Sequence, residues 1–320
     1  MLIYSIRRLN LFIITLLILS FISYNILRID VSLTWLSNDY WTGWIQYLRH
    51  LVEGDLGTSK NGEPVTQAIG QVIPATLELC LLAFVFALII GIPLGTLAGL
   101  RRGSYTDVVI SSATLLTFSM PIFWMAILMI TLFSLLANWL PVSGRYNLLF
   151  EIPDVSGFAL VDIIFSDHPQ KDEALRDILR HLVMPTIVLA VAPTTEVIKL
   201  LRDSVSDVMS QNYIKVAATK GLSKYEIVMR HVLKNALPPI IPKFGMQIST
   251  MMTFAIITEY IFDWPGIGSW LLAALNQQDY VAVQAGVLTV GSIVLLANIF
   301  SDLASAVVNP LVRKEWYALK

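Results

Sequence analysis

Long apolar runs that contain no charge set the narrowest limit on how this chain folds. Residues 9–27, 79–100 and 280–301 carry no Asp, Glu, Lys or Arg. Each is long enough for a helix to cross a bilayer core, which takes about 20 apolar residues. Within lipid every backbone polar group must be satisfied internally, so helices are the natural spanning element for such runs. Composition agrees: 56% of the residues are hydrophobic and 14% are charged, against about 25% charged in an ordinary soluble domain. With 22 basic and 23 acidic residues, the chain lacks the basic excess of nucleic-acid binders. Cys80 stands alone, which excludes an intramolecular disulfide and a cysteine-rich metal site.

The expected fold class is an all-α polytopic membrane protein with six transmembrane helices, at about 9–28, 75–101, 106–138, 181–201, 239–262 and 280–308. The first follows Arg7 and Arg8 and is read as a retained helix, because its apolar part is long and no small-residue cleavage site follows. Pro74-Ala75-Thr76 reads as the start of the second. Pro121 should kink the third. The fourth and fifth are short and carry Glu196, Lys199, Lys243 and Glu259. The chain thus divides into 1–73 (first helix and outer segment), 74–312 (core of five helices, outer insertion 140–180, inner loop 202–238) and the tail 313–320. Trp35, Trp41 and Trp44 point to a helix lying at the lipid interface within the first outer segment.

Lys and Arg decide the orientation, because cytoplasmic loops carry their excess. With the amino terminus inside, the inner pieces hold Arg7, Arg8, Arg101, Arg102, Lys199, Arg202, Lys215, Lys220, Lys224, Arg230, Lys234, Lys243, Arg313, Lys314 and Lys320. The outer pieces are acidic, with Asp39, Glu53, Asp55, Glu151, Asp154, Asp162 and Asp172 among them. Both termini are expected in the cytoplasm.

The inner loop holds the most specific pattern. Residues 203–220 are largely good helix formers, and Gly221 sits where a left-handed cap would stop a helix. Ser223 then offers an N-cap with Glu226 placed to complete a capping box. The small Ala217 and Ala218 are expected to leave one helix face free to lie against another protein. Tyr213, Ala217, Gly221, Leu222, Ser223, Arg230, His231, Leu233, Asn235, Ala236 and Leu237 stand in the spacing of the permeases of binding-protein-dependent ABC importers, and the chain resembles that family's peptide-transport branch. The general Glu-Ala-Ala consensus of the family falls on Lys215, Val216 and Ala217, so the match is to the branch. The resemblance extends to Leu140-Pro141-Val142-Ser143-Gly144 and to Trp264-Pro265-Gly266-Ile267-Gly268. Pro74–Cys80, Ala192–Ile198 and Lys314–Leu319 bring it nearest to the Sap-type permeases.

That resemblance implies a type I permease fold whose cytoplasmic coupling helix docks on an ATPase. It implies a second homologous permease, two ABC ATPases that bind ATP and Mg, a periplasmic substrate-binding protein and surrounding membrane lipid as partners, in the bacterial inner membrane. No nucleic acid is among them. The cargo it implies is peptide, including cationic antimicrobial peptides, with polyamine (putrescine) export or haem transport as alternatives. A channel or secondary transporter working without ATP is the more distant alternative. The chain itself should be no enzyme: no P-loop pattern occurs, and no cofactor or metal is expected in it.

Further candidates come from charge and spacing. Glu259, Phe262, Trp264, Pro265 and Gly266 are pathway or gate candidates, since an ionisable residue within a span is a functional suspect by default. Glu196 and Lys199, three apart, read as a local pair or as side chains reaching for the interface, and Asp302 as a helix-end cap or pair. Gly91, Gly95 and Gly99 read as a helix-packing stripe. His50, His168, His181 and His231 show no metal spacing.

Overall fold

A computed structural model describes residues 2–29 and 39–308, and among them the ordered elements are all helical. Trp35, Arg313 and the tail motif Lys314–Leu319 lie outside the described residues. The elements in order are α1 (Leu2–Leu27), α2 (Tyr40–Val52), α3 (Val65–Leu100), α4 (Tyr105–Ser119), α5 (Ile122–Met129, continued by a π turn Ile130–Leu136), α6 (Ala159–Phe165), α7 (Lys171–Met209), α8 (Asn212–Thr219), α9 (Lys224–Ile227), α10 (Leu233–Ala236), α11 (Phe244–Ile261), α12 (Ile267–Asn276) and α13 (Tyr280–Val308). Five helices among the described residues are long and apolar enough to cross a membrane, and the bent pair α4–α5 brings the number to 6 if it is one span.

The bend measures 96° and has a local cause. Proline disfavours the helical region for the residue before it, and Met120 is accordingly extended (φ −76°, ψ 129°). Pro121 then opens α5 at an elbow. Prolines elsewhere do not break the chain: Pro74 and Pro93 lie inside α3, and Pro185 and Pro193 inside α7.

Two helices begin earlier than hydropathy indicates. α3 starts at Val65, ahead of the expected Pro74, because Val65 and Ile69 bury one turn apart against Ile267 and Ala285. α7 starts at Lys171 instead of His181. Asp172 and Glu173 in its first turn complement the helix dipole, and Ala174, Ile178 and Leu182 repeat as a buried stripe at helical spacing. Hydropathy alone overlooks such extensions, since they are amphipathic.

α3 and α7 pack along the glycine stripe. A Cβ on Gly91 would press on the Val197 side chain, one on Gly95 on the Ile198 carbonyl and Leu201, and one on Gly99 on the Arg202 carbonyl and Val205. The stripe is a close helix–helix contact, as its spacing indicates. Gly95→Leu is expected to lose about 2–3 kcal/mol by overpacking, read as a lower melting temperature in detergent. Gly70→Ala in the same helix, where nothing lies within 4 Å of the added atom, should leave the melt unchanged or raise it.

α1 lies along α13, tied by Arg8 Nη1 to Asp302 Oδ2 at 3.0 Å, so Asp302 is a pairing residue between helices. At the other end α2 folds back on α1. Trp44 Nε1 donates to Ser20 Oγ at 3.3 Å and meets Phe21 edge to face at 5.5 Å, while Trp41 stays exposed. One tryptophan therefore anchors the helix to the protein, and the other is left for the interface.

Candidate functional site

The inner loop folds into a compact knot. α7 ends at Met209, a turn follows, and α8 runs to Thr219. Gly221 takes φ +83°, a left-handed conformation that side chains rarely adopt. Ser223 Oγ accepts from Glu226 N at 3.2 Å, and Glu226 Oε2 accepts from Ser223 N at 3.0 Å, so the capping box is formed. α9 passes through a π turn (Val228–Val232) into α10, and a 3-10 turn (Pro238–Lys243) leads into α11. Asn235 Nδ2 donates to the His231 carbonyl at 2.6 Å, and Ser204 Oγ to the Ala236 carbonyl at 2.8 Å.

Ile214, Ala217, Ile227, Val232 and Ala236 form one buried cluster with Leu201 and Val205 of α7. This corrects the reading of the small face for Ala217, while Ala218 is exposed as expected. Ala217 is 6% exposed and packs inward, where a larger side chain would push α8 off its own protein. Tyr213 and Val216 of α8 and Tyr225 and Met229 beyond the Gly221 turn are exposed, as are Lys215, Lys220, Arg230 and Lys234 of the same loop. The loop motif residues thus split. Ala217 and Ala236 build the inside, Gly221 and Ser223 shape the turn, and Tyr213 faces outward.

At the far end the segments 74–78, 140–145 and 264–268 meet at one junction. Glu259 of α11 is fully buried. Its Oε2 accepts from Gly268 N at 2.8 Å and Ser269 N at 3.1 Å, and its Oε1 from the Thr76 hydroxyl. Thr76 Oγ1 in turn accepts from Ile267 N at 2.8 Å. The carboxylate therefore caps the first turn of α12, the place where free N–H groups and the helix dipole favour a negative group. Gly266 and Gly268 stand where any Cβ would collide with that carboxylate. Trp264, fully buried, donates from Nε1 to the Ala75 carbonyl at 3.0 Å. Phe262 is buried and its carbonyl accepts from Gly144 N at 2.8 Å, while Pro265 is exposed.

Sequence reasoning missed the ion pair beside this junction. Arg145 reaches Glu78 Oε2 through Nε (3.0 Å) and Nη2 (2.6 Å), and Nη2 also donates to the Gly157 carbonyl at 2.8 Å. Glu78 Oε1 accepts from Leu160 N at 2.8 Å. The available signal was Glu78 itself, an acid at the mouth of an apolar run that needs a partner. Asp107 and Arg202 form a matching clamp at the other end, between α4 and α7, with Arg202 Nη2 to Asp107 Oδ2 at 2.8 Å. Glu196 and Lys199, by contrast, make no ion pair with each other among the described residues.

A further clamp closes the hairpin around residues 58–64 onto the start of α13. Asp279 accepts from Ser59 Oγ (2.6 Å), Lys60 N (2.9 Å) and Ala282 N (3.0 Å). Burial works to raise this carboxyl, and the donors outweigh it, holding the group below its ordinary value. A lowered folded value stabilises above the unfolded one, about 3.9, and the contribution fades as pH falls through the folded value. The melting gap between wild type and Asp279→Asn, open at neutral pH, is therefore expected to close below about pH 4. A gap of the same size at both ends of the range would mean that charge plays no part.

The arrangement is a helical bundle with a hydrogen-bonded junction around Glu259 at one end and the packed knot around Gly221 at the other. The family model for the binding-protein-dependent transport system inner membrane component matches residues 91–314. The chain is 48% identical over the full length of both proteins to the putrescine export system permease protein SapB of Escherichia coli K12. It is 49% identical, again over both full lengths, to the peptide transport system permease protein SapB of Salmonella typhimurium LT2. A solved structure of the MetNI methionine ABC transporter in an inward-facing conformation overlays with a TM-score of 0.55 at 14% identity, covering 73% of this chain and 93% of that one, a likeness of fold. The chain belongs to the family of binding-protein-dependent transport system inner membrane components, multi-pass permeases of ABC transporters.

Proposed function

We propose that this chain is the permease subunit that forms one wall of a peptide pathway through the bacterial inner membrane, driven by ATP hydrolysed in two partner ATPases. The observation that carries this reading is the inner knot. It holds its own core through Ile214, Ala217, Ile227 and Val232 and turns Tyr213, Val216, Tyr225 and Met229 outward, which suits a coupling element that docks in a groove of another protein. A second homologous permease completes the pathway, and a periplasmic binding protein delivers the cargo. ATP and Mg stay with the ATPases.

In this reading both termini lie in the cytoplasm, supported by the side on which Lys and Arg are in excess. Arg101, Arg102 and the basic rim of the knot then lie inside, and the acidic segments around Asp154, Asp162 and Asp172 lie outside. In that frame the junction of Thr76, Glu259, Trp264 and Gly266 is the stiff outer end against which the pathway closes, and nucleotide-driven movement of the knot shifts the population between inward-open and outward-open states.

Putrescine export is the second reading, favoured by the name of one relative at 48% identity. Proteoliposomes holding the complete transporter decide between them. ATP-dependent accumulation of tripeptide in the direction set by the binding protein is expected. Transport of putrescine alone would favour the second reading, and transport that persists without the ATPases would overturn both.

A further inference from the structure

Glu196 is a half-buried carboxylate within α7 that has no hydrogen-bond or ionic partner among the described residues. It follows an uncharged stretch, residues 182–195, and the Arg202–Asp107 clamp lies about 9 Å further along the axis, at roughly 1.5 Å per residue. A charge held in an apolar layer costs a few kcal/mol, so an unpaired one calls for a counter-charge from outside the chain. Escape to the near interface is poorly open to it. In a helix the Cα–Cβ bond tilts toward the amino terminus, so Glu196 leans into the apolar stretch, toward Ala192 one turn earlier. Lys199, longer and exposed, can reach the interface in a way that Glu196 cannot.

Ala192 lines a cavity of about 260 Å³ inside the α4–α5 elbow, together with Met120, Pro121, Met125, Val188 and Phe254. Ser119 is the polar exception in an otherwise apolar lining, and Glu196, not itself part of that lining, follows Ala192 by one turn of α7. We propose that this cavity and Glu196 together form an ammonium-recognising subsite, in which the elbow takes an apolar portion of the cargo and Glu196 takes a primary ammonium. The inference rests on the permease reading and names the cargo chemistry of that same pathway: an amine joined to a short apolar stretch.

The test uses the complete transporter in proteoliposomes, with hexylamine as the probe and hexanol as its uncharged counterpart. Hexylamine is expected to inhibit tripeptide transport by the wild type at about tenfold lower concentration than by Glu196→Gln, the size of one charge-assisted hydrogen bond. Glu196→Asp should keep the wild-type sensitivity, and hexanol should not distinguish the three. If Glu196→Gln transports too little to measure, the melting temperature of the purified complex gives the same comparison: hexylamine should raise it for wild type and Glu196→Asp and leave Glu196→Gln unmoved. Equal responses to hexylamine in wild type and Glu196→Gln would overturn the subsite. So would a Glu196→Gln chain that no longer co-purifies with its partners, because Glu196 would then pair with a neighbouring subunit. Failure of the wild type to transport peptide at all would instead count against the permease reading.

Discussion

Arg145→Ala is expected to destabilise the protein by about 3–5 kcal/mol, the range for breaking a buried ion pair by removing one partner. The mechanism is specific. Glu78 is 5% exposed and Arg145 13% exposed, so deleting the guanidinium leaves a carboxylate that neither water nor lipid can accommodate. Leu160 N alone would then face it. The pair also fastens the segment 140–180: Arg145 holds the Gly157 carbonyl, and Gly157 rests directly against Pro74 of α3. Loss of the pair should therefore loosen residues 140–165 first, seen as faster hydrogen exchange there than in α7. A companion variant separates charge from packing. Glu78→Gln combined with Arg145→Met removes both charges while keeping apolar bulk, and should recover a good part of the loss. A single-variant loss below about 1 kcal/mol, typical of a surface pair, would mean that the pair is solvated.

The contrast between what the sequence disclosed and what it withheld follows from the range over which each rule acts. The turn at Gly221 and the Ser223–Glu226 box depend on residues within a few positions of each other, and both form as read. The break at Pro121 is equally local. The stripe Gly91, Gly95, Gly99 was legible because small residues at that spacing have one common use, although its partner α7 was not. The junction around Glu259 was hidden for the opposite reason. Thr76, Glu78, Arg145, Glu259 and Gly268 come from distant parts of the chain, and only the packing of α3, α11 and α12 brings them together. No hydropathy window holds that information. Ala217 illustrates a third case. Its smallness was visible, but a small residue lets either a partner protein or the chain's own helix approach, and only the position of Leu201 and Val205 distinguishes the two.

That distinction fixes how coupling is to be tested. Val216→Asp is expected to weaken association with the ATPases about thirtyfold, the effect of losing about 2 kcal/mol at a central interface residue, and to lower ATP-driven transport with it. Val216 is 51% exposed, so the substitution should leave the melting temperature of the isolated permease within about 0.5 kcal/mol of wild type in stability terms. Ala217→Arg should behave in the reverse order. The arginine has to enter the cluster of Ile214, Ile227 and Val232, so the permease itself melts early and docking fails only as a consequence. Asp at 216 meets no such crowding; it sets a charge on the exposed face of α8 that is proposed to dock. If both variants melt like wild type and both still bind the ATPases, the exposed face of α8 is not the docking surface. If Val216→Asp loses binding without melting early while Ala217→Arg melts early, the motif has two jobs in adjacent residues, with Ala217 holding the coupling helix to its own protein and Val216 presenting it to the partner.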